Sequence, residues 1–304
     1  MFMTRYLLIV VLAFALPGYS DSSGRSDKPL RVLSIGNSFA ESVMKYLPPL
    51  AKEAENLGAP KLDIVVLMHP GCTLDQHWAN AERAKDNSFV PYGLPNSFAS
   101  GDAASFFSSS QKTNVWYRNR GNLPQMLKAY KWDIVTIQQG SSKSWLEESY
   151  EPYFGNLVKL VHELAPTAEI RIQQTWAYNK NHPELRSEGP QPRSGKWGIT
   201  QAEMYDKLNS CYEAMSGKYG LKVIRTGYAV QEWRRRHPCD PDPVGNGKDT
   251  VHLNDEGCYL QALVWVKSLF GVDVNQLAFE PKLGDGFPAR AKAMRELVDS
   301  VQSL

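Results

Sequence analysis

The sequence predicts a three-layer α/β/α sandwich around a five-stranded parallel sheet, and two observations carry that prediction. Short β-branched runs recur along the 304 residues, at Leu30–Ile35, Leu62–Met68, Trp132–Gln138, Glu169–Gln174 and Leu221–Thr226. Each is nearly continuous in apolar character and bounded by Gly, Pro, Ser or Asp, as strands covered on both faces are. Between them lie stretches at helical spacing. Leu157, Leu160, Val161 and Leu164 share one face, as do Met204, Leu208, Cys211 and Met215. Alternation of this kind builds βαβ units, and hence a parallel sheet with helices on both sides.

A single domain over residues 31–304 accommodates all of these elements. Its rhythm is broken twice, by a Ser/Asn/Gly/Ala-rich connection at 72–131 and by a Pro-rich excursion at 179–198. Connections of that length are commonly functional. Near the C-terminus, residues 289–304 place Met294, Leu297, Val298 and Val301 on one face and predict a helix docked on the core.

Ahead of the domain, Arg5 precedes an apolar run from Tyr6 to Leu16 that ends in Pro17-Gly18-Tyr19-Ser20. A positive start, a short apolar stretch and small residues after it mark a secretory signal peptide, here residues 1–20, followed by a linker at 21–30. The run is shorter than the roughly 20 apolar residues that span a bilayer. The expectation is therefore an exported protein, periplasmic or secreted, with no stable membrane insertion after cleavage; an uncleaved anchor is the alternative. Formal net charge is +2, from 34 basic and 32 acidic residues, too balanced for a nucleic-acid binder that neutralises many phosphates. Cys72, Cys211, Cys239 and Cys258 contain no Cys-x-x-Cys pair, which argues against zinc. An oxidising compartment permits disulfides in any of three pairings, while free core thiols are the other option, the better one for Cys258 in its apolar helical pattern.

In open parallel sheets, sites form outside the carboxyl ends of the strands. There the sequence places Gly36-Asn37-Ser38-Phe39-Ala40, His69-Pro70-Gly71-Cys72, Gln138-Gln139-Gly140-Ser141-Ser142 and Thr175-Trp176-Ala177-Tyr178, and after the last run Asp249-Thr250-Val251-His252. A serine nucleophile needs a base, a carboxylate to orient it, and donors for a developing oxyanion. Ser38 is the candidate nucleophile, because Gly36 permits a tight strand-to-helix turn and a helix start favours negative charge. The competing reading is an N-cap serine. His252, with Asp249 three residues earlier, supplies base and orienter on one turn. Trp176 and Tyr178, leaving a strand end, are candidate sugar-stacking residues, as are Trp116, Tyr117 and Trp145, against a core or loop-anchoring role. His69, His77, His162 and His182 have no evident partner, and Arg234-Arg235-Arg236-His237 reads as charge on a solvated helix face. Residues 240–245 begin like a calcium loop, yet Val244 and Val251 occupy its fifth and twelfth positions, so no metal or cofactor is expected.

In their order along the chain, these blocks resemble the SGNH (GDSL-like) hydrolase superfamily over about residues 31–270. RVLSIGNSF is similar to the first block, with Asn37 where most members carry Asp, which places the chain nearest a branch with Gly-Asn-Ser. VVLMHPG offers Gly71 for the second block, and KDTVHLNDEG offers Asp249 and His252 for the last. The third block departs from the usual Gly-x-Asn-Asp, which would put Asn at Ser142. IQQGSS is similar instead to the Gln-Gly-Glu segment of carbohydrate and sialate acetylesterases. The resemblance implies a flavodoxin-like sheet, a Ser38–His252–Asp249 triad, and an oxyanion hole from the Ser38 and Gly71 N–H groups with the Gln139 side chain. Gln138 and Ser142 are the alternatives for that third donor. It also implies a serine esterase whose partner is a small-molecule or glycan ester, with a carbohydrate O-acetyl ester suggested by analogy and export together. The alternatives are a non-catalytic carbohydrate-binding protein on the same scaffold, and an esterase or lipase acting on a non-carbohydrate ester.

Overall fold

The computed structural model describes residues 28–84, 88–94, 120–187 and 192–301. Its strands are β1 (Leu30–Gly36), β2 (Leu62–Met68), β3 (Tyr92–Gly93), β4 (Arg120–Gly121), β5 (Ile134–Ile137), β6 (Glu169–Gln173), β7 (Lys222–Ile224), β8 (Val244–Asn246) and β9 (Asp249–Leu253). The first seven form one sheet in the order β4-β3-β2-β1-β5-β6-β7, and β8 and β9 form a separate antiparallel hairpin. Each of the predicted runs is a strand of the parallel centre. β1 pairs with β2 from Leu30↔Leu62 to Gly36↔Met68 and with β5 from Val32↔Ile134, and β6 and β7 continue outward. The sheet has seven strands rather than five, because the long connection adds β3 antiparallel to β2, with Met68 opposite Gly93, and β4 antiparallel to β3. Strands of two residues are too short to show any alternation in sequence.

The helices are α1 (Ser38–Glu41), α2 (Leu47–Ala54), α3 (Leu74–Arg83), α4 (Leu123–Ala129), α5 (Tyr153–Leu164), α6 (Gln201–Tyr219), α7 (Thr226–Arg236), α8 (Asp255–Phe270) and α9 (Phe287–Ser300). They fall into two groups, one on each face of the sheet, as right-handed crossovers require. α3, α4 and α5 pack together, with α6 joined to α5 through Phe154 and Tyr219. On the other side α2, α7 and α9 surround α8, which is buried without a break from Gly257 to Val266. A helix so apolar all round belongs in the core. α9 matches the expected docking helix, burying Met294, Leu297 and Val298.

One sequence reading is corrected here and one open choice is decided. Arg234 does not lie on a solvated face: it is half-buried, pairs with Asp242 at 3.0 Å, and donates to the carbonyls of Ala177 at 3.1 Å and Tyr178 at 3.3 Å. A guanidinium fork can satisfy a carboxylate and the exit of a strand together, whereas Arg235 and Arg236 do pair at the surface with Glu232. Cys72, Cys211, Cys239 and Cys258 are all unpaired, and only Cys239 is exposed. The expected signal peptide at 1–20, most of the 21–30 linker, and Trp116 and Tyr117 lie outside the described residues. Among the described residues, no helix is long and apolar enough to cross a membrane.

Candidate active site

The site starts from a glycine. A Cβ on Gly36 would stand 2.6 Å from Ala40 Cβ and 2.8 Å from Gln138 Oε1, so only glycine lets β1 turn this tightly into α1. Asn37, not Ser38, is the N-cap of that helix: its backbone is extended and its Oδ1 accepts the Phe39 N–H at 3.0 Å. Ser38 is thus released from capping and stands at the first helical position. Its Oγ lies 2.9 Å from His252 Nε2, across 214 residues of sequence. Asp249 sits at the tip of the β8–β9 hairpin, where its Oδ1 accepts the N–H groups of Val251 at 2.8 Å and His252 at 3.0 Å. Its Oδ2 lies 2.8 Å from His252 Nδ1. An ionised carboxylate only accepts, so the imidazole proton belongs on Nδ1 and Nε2 is left as the acceptor facing Ser38. Partial burial raises the Asp249 pKa, but the hydrogen bonds from the His252 and Val251 N–H groups and the His252 ring outweigh it and hold the carboxyl below its usual range. His252 is exposed and Ser38 half-buried, so a substrate can approach both.

The oxyanion donors require a correction. Gln139 is no free donor: its Nε2 is taken by Ser149 O at 3.1 Å and Ser149 Oγ at 3.0 Å, and its Oε1 accepts from Leu74 N and Gly140 N. That side chain ties the start of α3 to the end of β5. Gln138 is fully buried beneath Gly36, and Ser142 is exposed and makes no hydrogen bond to another described residue. What remains is backbone. The Ser38 N–H opens α1 and so has no intrahelical acceptor, and neither it nor the Gly71 N–H is engaged by another described residue. Gly71 has φ +63°, a left-handed conformation that suits glycine. Its loop is held against the turn that carries Ser38 by Asn37 Nδ2 donating to Cys72 O at 3.1 Å and His69 N to Gly36 O at 3.2 Å. An aspartate in place of Asn37 could cap α1 but could not make the first of these bonds.

The aromatic residues divide. Trp176 is fully buried and stacks on Phe39 at 3.9 Å with its rings within 2° of parallel, while its indole N–H donates to Val251 O at 2.9 Å. It fastens α1 to the His252 hairpin and offers no face to a sugar. Tyr178 is also buried, its hydroxyl 2.8 Å from Ser141 Oγ. It begins a wall that sequence reasoning did not assemble, formed with the half-buried rings of His182, Trp197 and Trp145. His182 and Trp197 stack at 5.2 Å and 16°. These residues come from three separate segments, so no linear pattern announces them. Ser38 and His252 line neither the cavity of about 660 Å³ beside Trp78 and Leu164 nor that of about 340 Å³ beside Trp233 and Asp242.

A parallel α/β sheet with Ser, His and Asp meeting at its carboxyl edge is the architecture of SGNH-type hydrolases. The chain belongs to the DUF4886 family, a domain of unknown function, whose model matches residues 119–292. The match takes in Asp249 and His252, and Ser38 precedes it. The structure is similar to that of a DUF4886 family protein from Bacteroides uniformis, with a TM-score of 0.67 and 24% identity over 91% of this chain and 98% of that one. It is also similar to a candidate SGNH hydrolase from Slackia heliotrinireducens, with a TM-score of 0.50 and 17% identity over 80% of this chain and all of the other. No curated protein matches the chain.

Proposed function

We propose that this protein is an exported serine esterase that removes an acyl group, an O-acetyl ester on a carbohydrate or glycan, through an acyl-enzyme. The hydrogen-bonded chain from Ser38 Oγ through His252 to Asp249 carries this reading. Ser38 Oγ attacks the ester carbonyl carbon as its proton passes to His252 Nε2, and Asp249 stabilises the imidazolium that forms. The carbonyl oxygen, now negative, is met by the Ser38 and Gly71 N–H groups. Collapse of the intermediate expels the alcohol, which takes the proton from His252, and leaves the acyl group on Ser38. Water then attacks the acyl carbon, again giving a proton to His252, and the acid departs as Ser38 recovers its own.

A carbohydrate is favoured by the uncharged aromatic wall. Burial lowers the His182 pKa, and its Nδ1 accepts the Glu184 N–H at 3.2 Å, so the ring is neutral and presents a flat face beside Trp197. Such faces suit the C–H surface of a pyranose, while a pocket for a long acyl chain would be enclosed and apolar. A non-catalytic binding protein has no use for a serine held at 2.9 Å from a carboxylate-oriented histidine.

The test combines a fluorophosphonate with a panel of acetylated glycans and short- and long-chain esters. Wild type should be labelled at Ser38 and should prefer acetyl esters, Ser38→Ala should be silent in both assays, and Trp197→Ala should raise KM for glycan esters with little change in kcat. Absence of Ser38 labelling together with absence of Ser38-dependent turnover overturns the proposal. Export is checked separately by the mass of the secreted chain, expected to begin near residue 21.

A further inference from the structure

The nucleophile and the base meet at the surface, yet nothing at the surface is strong enough to hold them there. One hydrogen bond between accessible side chains nets only about 0.5–1.5 kcal/mol. α1 is a single turn of four residues, too short to be stable by itself. The placement has to come from below, and two buried amide donors converge there on one atom, the carbonyl oxygen of Phe39, the residue after the candidate nucleophile. Gln261 Nε2 donates to it at 2.9 Å, Gln173 Nε2 at 3.3 Å, and Ser42 Oγ lies at 2.9 Å.

Gln261 is the informative member. It is fully buried and stands between Leu260 and Ala262 as the one amide in an apolar stretch that continues to Val266. A polar side chain in such a place destabilises the fold unless its hydrogen bonds are made. Its Oε1 accepts from Ser42 Oγ at 2.7 Å, which orients the amide and directs Nε2 at Phe39. It also sits on α8, whose N-cap, Asn254, follows His252 by two residues. One rigid helix therefore receives the His252 hairpin at its start and grips the nucleophile turn from its second turn. Gln173, at the end of β6, references the same carbonyl to the sheet.

We infer that Gln261 is a positioning residue, which through the Phe39 carbonyl sets the distance between Ser38 Oγ and His252 Nε2. This rests on the esterase reading for its kinetic consequence. Gln261→Met keeps the length and apolar stem and removes both polar atoms. It should lower kcat about tenfold or more at unchanged KM and slow Ser38 phosphonylation by the same factor, since misplacement by about 1 Å can cost 10²-fold in rate. Ser42→Ala, at the half-buried edge of the clamp, should lower kcat severalfold in the same way. The His252 ring resonances in NMR report the geometry without turnover, and should shift in Gln261→Met but not in Trp197→Ala. A folded Gln261→Met with wild-type kcat, labelling rate and His252 spectrum overturns the inference. If that variant does not fold, unchanged kcat and unchanged His252 resonances in both Ser42→Ala and Gln173→Met overturn it. A wild type that is never labelled refutes the esterase reading instead, and the His252 resonances then decide the clamp.

Discussion

Asn37→Asp separates two jobs that one buried amide performs. The side chain is only 2% exposed. Its Oδ1 caps α1 through Phe39 N, and its Nδ2 bonds to Cys72 O beside Gly71. Aspartate retains the first bond and, while ionised, cannot make the second. A buried acceptor left without a donor costs about 1–3 kcal/mol, and more when a charge faces it. The gain from a carboxylate at a helix N-terminus is about 0.3–1 kcal/mol for an ordinary helix, and a single turn offers less. The net expectation is a loss of about 1–3 kcal/mol. Asn37→Ala gives up the cap as well, a further loss of about 1 kcal/mol. Release of Cys72 also frees the Gly71 N–H to drift. Removing an oxyanion donor outright costs roughly 10²–10³ in kcat, so loosening one should cost about tenfold, with KM unchanged. Urea midpoints and p-nitrophenyl acetate turnover for wild type and both variants provide the measurement. Once protonated, the introduced carboxyl can donate to Cys72 O, so the penalty of Asn37→Asp should shrink as pH falls. If Asn37→Asp equals wild type in both stability and kcat, the tie between the first two loops does nothing, and the account of the Gly-Asn-Ser block is wrong.

Three further outcomes are expected. Asp249→Asn should lower kcat by about 10³–10⁴ with little effect on KM, because an amide no longer selects the Nδ1–H tautomer; near wild-type rates would remove Asp249 from the triad. His77 is fully buried against Tyr92, and burial lowers its pKa from 6.5 to about 3. The unfolded chain therefore takes up a proton that the folded one refuses, so this contribution is complete above about pH 6.5 and declines by up to about 1.4 kcal/mol per pH unit as pH falls towards 3. His77→Gln should flatten stability against pH in that window, and parallel curves would contradict the assignment. Arg234→Met should destabilise by about 1–3 kcal/mol, since it takes the donor away from Asp242 and the carbonyls of Ala177 and Tyr178 in a half-buried place; a change below about 0.5 kcal/mol in stability from the urea midpoint would show that the pair is dispensable.

Legibility followed the length over which a physical signal acts. The parallel strands were readable because burial on both faces selects apolar residues along a whole run, as in Leu62–Met68. β3 and β4 were not, since two backbone residues recruited to a sheet edge need no particular side chains. In the site, Ser38, Gly71, Asp249 and His252 sit at strand ends or in a local turn, where position along the chain almost decides position in space. Gln139 failed as a donor because a motif places a residue along a strand without saying what its side chain will meet. The Ser149 carbonyl and hydroxyl that engage it come from the following turn. Trp176 and Arg234 went astray for the same reason: an aromatic after a strand and an arginine on a helix look exposed until their partners, Phe39 and Asp242, arrive from elsewhere.

The sequence by itself determined the layered parallel sheet, the edge at which chemistry can occur, and the identity of the candidate nucleophile, base and carboxylate. These depend on periodicity and on spacing within a few residues, which survive in one dimension. Only the tertiary structure decided that Asn37 and not Ser38 caps the first helix, and that the candidate oxyanion donors are backbone N–H groups. It alone gathered Tyr178, His182, Trp197 and Trp145 into a wall, and set Gln261 under a nucleophile more than two hundred residues away. Hydrogen bonds act over about 3 Å and carry no record of sequence separation. Their partners therefore become visible only once packing has chosen which segments lie side by side.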